Sequence, residues 1–258
     1  MSALSHARDE TGLTESNRRF YDGLWSGARL IDPQRFNTWP LVSELCATRA
    51  RRLEIAPGLR PRLPLNGTVF LDLSAPALRA LRGRSASSVT GLIGALPFAD
   101  ASFDLVCGFD IVEHVADDGA AFSELSRVAA PGAMLLLSVP LHPQAWNAFD
   151  DFVGHCRRYE PEALLAQLAK RGFVVERSAV YGLQPRSSVL LGLGMWFLRC
   201  HPRMAMRWYN RVFMPIGLRM QKPLRWQPGF NDTQGVDEVL LMCRKVDNNS
   251  TAGQGWPC

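Results

Sequence analysis

Residues 96–140 read LPFADASFDLVCGFDIVEHVADDGAAFSELSRVAAPGAMLLLSVP, and the fold follows from them. Phe103–Val106 is a short apolar run entered from the turn-like Ala-Asp-Ala-Ser, which predicts a buried strand ending near Gly108. Asp117 or Asp118 can cap a helix in which Phe122, Leu125 and Val128 recur at three-residue spacing. Pro131-Gly132 is expected to stop that helix, and Met134–Val139 to form a second wholly apolar strand. Two buried strands joined by one helix make a parallel unit covered on both faces. Such sheets bind ligands beyond the carboxyl ends of their strands, where Asp110, Glu113 and His114 stand.

Working outward, Arg52–Ala56 (RLEIA) and Thr68–Leu73 (TVFLDL) read as the first two strands. Between Gly58 and Thr68 lie nine residues, including Pro61, Pro64 and Gly67, so an irregular crossover without a helix is expected. Ser74, followed by Pro76, can cap the next helix, which turns Leu78 and Leu81 to the core and ends at Gly83. Ser88–Ile93 is a weak third strand. Nearer the start, Thr14 can cap a short helix carrying Phe20 and Tyr21, with Trp25 just beyond it. A second helix is predicted over Thr38–Arg51 from the pairs Leu41/Leu45 and Val42/Cys46. Downstream, Glu160-Pro161 starts a helix with Leu164, Leu165 and Leu168 on one face and Gly172 at its end. Phe173–Val180 is the sixth strand, and Val236–Lys245 closes the sheet.

The 258 residues suit one domain with embellishments. Hydrophobic residues at 47% and charged ones at 21% are ordinary for a globular protein. The net charge of +5 comes from arginine, the lysines being Lys170, Lys222 and Lys245 alone. These charges are dispersed, which argues against nucleic acid as a partner. The six cysteines show no Cys-x-x-Cys and no Cys/His ligand spacing, so free thiols in a reducing cytoplasm and no metal are expected. MSALSHARDETG lacks the apolar core of a signal peptide, and Val189–Leu198 is about half a membrane span.

LPFADASFDLV, EHVADD and SRVAAPGAMLLLSVP, in that order, resemble the central region of small-molecule class I S-adenosylmethionine-dependent methyltransferases. The likeness extends over roughly residues 51–181 plus the closing strand. It implies an α/β, Rossmann-like, doubly wound seven-stranded sheet with an antiparallel last strand and helices on both faces. Residues 1–50 would then be an N-terminal helical cap over the cofactor mouth. Residues 51–182 and 236–246 would be the core, 183–235 an insertion or lid, and 247–258 a flexible tail.

The resemblance places S-adenosylmethionine along Glu54, Ala56, Gly58, Asp72, Leu73, Ile93 and Phe109. Asp72 stands where the family's acid accepts hydrogen bonds from the ribose hydroxyls, a task suited to a two-oxygen acceptor. Two departures are visible. The family's Gly-x-Gly-x-Gly reads Ala56-Pro57-Gly58-Leu59-Arg60, and Leu92 replaces an Asp that holds the adenine amino group. Arg60 or Arg62 could stand in for the missing helix near the methionine carboxylate.

Methyl transfer to a hydroxyl or amine calls for alignment and a base, and the candidates are His155, His114 and His142. His155 ranks first because it sits in the covering loop 141–159 beside Arg157, Arg158 and Tyr159. The expected function is methyl transfer to a small-molecule or lipid-linked acceptor. A non-catalytic scaffold with this fold is the alternative. A nicotinamide-dinucleotide enzyme is weaker, since no Gly-x-Gly-x-x-Gly follows any strand. In the insertion, the apolar run and Arg199, Arg203, Arg207 and Arg211 at four-residue spacing leave two readings open. One is peripheral membrane contact or a roof over an apolar acceptor site; the other is a core helix with a solvated basic face. The acceptor atom and the oligomeric state stay open at this stage.

Overall fold

The computed structural model describes residues 12, 15, 18, 21–23, 25, 28–182, 194, 196–197, 200–230 and 234–246. Thr14, Phe20, Arg199, most of Val189–Leu198 and the tail from Asp247 lie outside the described residues.

Eight strands form one sheet: β1 (Arg52–Ile55), β2 (Thr68–Asp72), β3 (Ser87–Thr90), β4 (Phe103–Phe109), β5 (Ala129–Pro140), β6 (Phe173–Tyr181), β7 (Gln227–Pro228) and β8 (Glu238–Lys245). Their order is β3-β2-β1-β4-β5-β8-β6-β7. The pairs among β1 to β5 are parallel, while β8 runs antiparallel between β5 and β6. The expected seven strands are therefore present, and the insertion adds an eighth at the edge, where β7 pairs antiparallel with β6.

The helices are α1 (Trp39–Thr48), α2 (Ala75–Arg82), α3 (Asp118–Val128), α4 (Ala148–Val153), α5 (Pro161–Lys170), α6 (Pro202–Trp208) and α7 (Met214–Met220). Capping follows the sequence. Asp117 accepts from the N–H of Ala120 at the start of α3, and Ser74 from that of Ala77 at the start of α2. Ala121, Phe122, Leu125 and Val128 of α3 pack with Leu164 and Leu168 of α5 on one sheet face. Leu41, Val42 and Leu45 of α1 cover the other, against Leu105, Cys107, Met134, Leu136 and Met242. Full burial of each such side chain stabilises by roughly 1.5–3 kcal/mol.

Four boundaries differ from expectation. β5 begins at Ala129, not Met134, because Pro131-Gly132 is absorbed as an irregularity between the pairs Phe103↔Ala129 and Leu105↔Met134. Trp25 lies in helical backbone together with Tyr21, not beyond it. The third strand ends at Thr90, and Leu92 bridges to Ala95 in a tight turn. In place of one continuous four-residue spacing, Pro202 opens α6 and a π-turn over Tyr209–Phe213 then shifts the helical phase. Among the described residues no helix is long and apolar enough to cross a membrane.

Candidate active site

The carboxyl ends of β1, β2, β4 and β5 open into a cleft of about 1860 Å³. Every sequence-predicted cofactor residue except Gly58 lines it, and Gly58 sits between the lining residues Pro57 and Arg60.

The cofactor half is built on the helix-free crossover from β1 to β2. Glu54, buried in β1, accepts hydrogen bonds from the N–H groups of Arg62 (2.8 Å) and Leu63 (2.8 Å). Its carboxylate thus fastens a segment that has no helix to satisfy it. Burial pushes the Glu54 carboxyl up to about 7, against the lowering effect of those two bonds. Asp72 does parallel work at the end of β2: its oxygens accept from Gly58 N–H (2.9 Å) and Ser74 N–H (2.7 Å). Burial raises its carboxyl too. Each oxygen keeps a further lone pair, so ribose hydroxyls remain compatible acceptor-bond partners.

Ala56 and Gly58 both have left-handed backbone, φ 54° and 55°. A Cβ on Gly58 would overlap the Trp25 indole, so this close approach serves the N-terminal segment. Ile93 is buried, while Leu92 is 46% exposed and faces the cleft. Phe109 packs 6.1 Å from Tyr181 and 5.4 Å from the Arg62 guanidinium. Arg62 is engaged by the Tyr181 hydroxyl (3.1 Å) and the Arg60 carbonyl (2.7 Å). Arg60 differs: its guanidinium lies 4.9 Å from Trp25 and 5.0 Å from Tyr209, with a buried Nη2 that has no partner.

The other half of the cleft, on the side of the candidate bases, gathers at the ends of β4 and β5. Asp110 carries φ 50°, costly for a non-glycine residue, and accepts from the Ser138 hydroxyl (2.5 Å). Glu238 shares a hydrogen bond with Asp110, and burial followed by that neighbouring charge raises its carboxyl well above the usual range. The turn Val112–His114 then places Glu113 and His114. Glu113 is fully buried, and neither carboxylate oxygen has a hydrogen-bond partner. Burial also raises its carboxyl well above the usual range. His114 Nδ1 meets the Gly154 carbonyl (3.2 Å) and Nε2 the Tyr21 hydroxyl (3.1 Å). A carbonyl only accepts, so Nδ1 bears the proton. Burial lowers the His114 pKa to about 3, keeping the ring neutral.

His155 comes from the covering loop. Its Nδ1 meets Asp150 at 2.8 Å, its Nε2 stands 3.9 Å from Glu113, and its ring lies edge-on to His114 at 4.7 Å. Asp150 caps α4 reciprocally with Asn147 and pairs with Arg158 at 2.9 and 3.0 Å, both side chains fully buried. Burial alone would raise the Asp150 carboxyl, but the bonds from His155 and Arg158 prevail and hold it low. His142 is not brought to this cluster; it lines a separate shallow depression with Glu160. Sequence reasoning missed Asp150, Glu238 and Tyr181. The Asn147-x-x-Asp150 pattern is a capping-box signal that could have flagged the first.

The family model described as "Methyltransferase domain" matches residues 57–137. Malonyl-[acyl-carrier protein] O-methyltransferase of Pseudescherichia vulneris is 38% identical over 105 residues, 38% of this chain and 41% of that protein. The enzyme of the same name from Erwinia billingiae is 33% identical over 138 residues, 46% of this chain and 55% of that protein. The chain therefore spans about half the length of the curated relatives it matches, or less. A Thermotoga maritima structure described as a SAM-dependent methyltransferase, possible histamine N-methyltransferase, superposes with a TM-score of 0.54. The identity is 15%, over 94% of this chain and 96% of the other. That likeness speaks to the fold alone.

Fold and cleft define a doubly wound α/β protein with its ligand site at the carboxyl edge of the sheet. With the matches added, residues 57–137 are similar to a methyltransferase domain, and the chain shares its fold with a solved methyltransferase structure. S-adenosylmethionine fits what the cleft offers: an acid closing β2, and a buried guanidinium N–H without a partner, suited to a carboxylate.

Proposed function

We propose that the protein transfers a methyl group from S-adenosylmethionine to a small-molecule or lipid-linked acceptor. The observation that carries this is one cleft with two unlike halves, Asp72, Leu73 and Arg60 on one side and Glu113, His114 and His155 on the other. Bound there, the cofactor supplies a methyl group already activated by its sulfonium. Asp72 would take the ribose hydroxyls, Arg60 the methionine carboxylate, Leu73, Leu92 and Ile93 the adenine, and Phe109 would back the chain. The protein's remaining work is alignment, exclusion of water and handling of the acceptor's proton. In the metal-free protein His155 is the base. Asp150 fixes its Nδ1, which leaves Nε2 turned toward Glu113, and His114 steadies the turn beside it. Phe149, Phe152, Val153 and Met214 make the acceptor side apolar.

Calorimetric titration with S-adenosylhomocysteine, then transfer of labelled methyl from the cofactor to candidate acceptors, tests the reading. Absence of binding by the folded chain sinks it. Binding without turnover on any acceptor favours the scaffold alternative, for which the Trp25 indole seated on Gly58 is the supporting observation. The relatives that act on malonyl-[acyl-carrier protein] make a carrier-linked carboxylate the first acceptor to try.

Peripheral membrane contact belongs to the same reading. Trp208, Phe213, Ile216 and Met220 are exposed on residues 202–220, beside the exposed Arg207, Arg211 and Arg219. Salt-sensitive co-sedimentation with anionic vesicles is expected, and no sedimentation at low salt would leave this segment a lid. A cytoplasmic setting suits the unpaired thiols of Cys107 and Cys243.

A further inference from the structure

We infer that Glu113, His114 and His155 form a binding site for a divalent first-row transition cation at the acceptor end of the cleft. Each side chain offers one ligand atom, and the three atoms lie within 4.8 Å of one another. Glu113 Oε1 and His155 Nε2 are 3.9 Å apart. Donors sharing one ion at about 2.0–2.2 Å lie no more than roughly 4.4 Å apart, so the set needs only slight closing.

The second observation is the orphaned carboxylate. Glu113 is fully buried with both oxygens unpartnered, and such a group costs stability unless something meets it. A proton on Glu113 leaves the group without a partner at hydrogen-bond distance, the His155 Nε2 atom standing 3.9 Å away. A cation supplies one. The third observation is that both imidazoles are held through the nitrogen distal to a ligand. Asp150, itself gripped by Arg158 and by the Asn147 N–H (2.8 Å), takes His155 Nδ1, and the Gly154 carbonyl takes His114 Nδ1. Outer contacts of this kind set the tautomer and aim the lone pair of the other ring nitrogen. Tyr21, now 3.1 Å from His114 Nε2, would give up that bond.

Two imidazoles and one carboxylate, open on the cleft side, suit Zn2+, Co2+ or Mn2+ better than a hard cation that prefers oxygen ligands alone. The open position could receive an acceptor oxygen and lower its pKa, with His155 then a ligand instead of a base. That use rests on the methyl-transfer reading; the binding site does not. The sequence gives no spacing signal, because a turn after β4 and a loop 41 residues later meet only in the fold.

The test is titration of the chelator-treated full chain with Co2+ by absorption spectroscopy, and with Zn2+ by calorimetry. One equivalent should bind with an imidazole–carboxylate spectrum and no thiolate charge-transfer band, which excludes Cys156. Glu113→Gln and His155→Ala should each weaken binding at least tenfold, and Asp150→Asn roughly tenfold to a hundredfold. His142→Ala, outside the cluster, should leave it unchanged. Thermal melts without metal establish that each variant is folded, and Glu113→Gln should melt no lower than the parent. No binding, or binding unchanged in folded Glu113→Gln, overturns the site. A chain that binds S-adenosylhomocysteine but no cation loses this inference alone. One that binds the cation but no S-adenosylhomocysteine keeps the site and loses the methyl-transfer reading.

Discussion

The two halves of the cleft use buried carboxylates in opposite ways. In the cofactor half, the oxygens of Glu54 and Asp72 each accept from backbone N–H groups of the segments they border. In the acceptor half, both oxygens of Glu113 and one of Glu238 have no hydrogen-bond partner. A satisfied carboxylate is architecture: it replaces the hydrogen bonds of a helix that the crossover lacks. An unsatisfied one is poised for something that arrives later.

The contrast is broken most severely at Asp150, the satisfied acid within the acceptor half. Arg158→Met strips a fully buried ion pair of one partner. The expected loss is about 3–5 kcal/mol, read by chemical denaturation. A cost below about 1 kcal/mol would show that the covering loop does not depend on this pair.

Next comes Glu54→Ala, which orphans the N–H groups of Arg62 and Leu63 together. Because the Arg62 N–H is only part-buried, the lower part of the range, about 1–2 kcal/mol per unsatisfied group, applies, and roughly 2–4 kcal/mol should be lost in the same assay. Glu54 also sharpens the comparison through pH. Its folded pKa, about 7, lies above the ordinary carboxyl value, so the folded state holds the proton more tightly. The stability this contributes is full below the unfolded pKa and is lost as pH rises through about 7. Glu54→Gln should therefore flatten the decline in stability between about pH 4.5 and 7. An unchanged slope would assign the decline to other acids.

Asp72→Ala orphans two N–H groups as Glu54→Ala does, and it is set apart by its effect on ligand affinity. Losing charge-assisted bonds worth about 1.5–3 kcal/mol should weaken S-adenosylhomocysteine tenfold to a hundredfold in calorimetry. Unchanged affinity in a folded variant would make Asp72 purely architectural, like Glu54. The smallest effect is expected of Leu92→Asp, at a side chain 46% exposed in the cleft. One added acceptor for the adenine amino group, worth about 1 kcal/mol, should tighten binding about fivefold. Weaker binding would mean the adenine is seated elsewhere.

How much of this was legible depended on how local the signal was. The unit from β4 through α3 to β5 was read directly except for the start of β5, because apolar runs and the Asp117 cap speak within a few residues. The helix-free crossover was legible from its prolines. β7, two residues long, carries no periodicity to read. Neither Asp150 nor Glu238 could be placed in the site from the chain alone. Glu238 reaches the cleft through its pairing with Pro140, and Asp150 matters through partners five and eight residues away that the loop folds back upon it. Trp25 on Gly58 is likewise a tertiary fact that no glycine pattern announces.

The missing crossover helix has a further consequence for how this protein can change over evolutionary time. A right-handed passage from β1 to β2 would lay a helix on the sheet face opposite α3. In this chain that face is closed by Leu41, Val42 and Leu45 of α1. A leader that only selects substrate can be exchanged between relatives like a tool head. One that also supplies a layer of the core is tied to the sheet beneath it, and the two must drift in step. New acceptor preferences should accordingly arise in the 141–159 loop and the 183–235 insertion, with α1 held fast by the strands it covers.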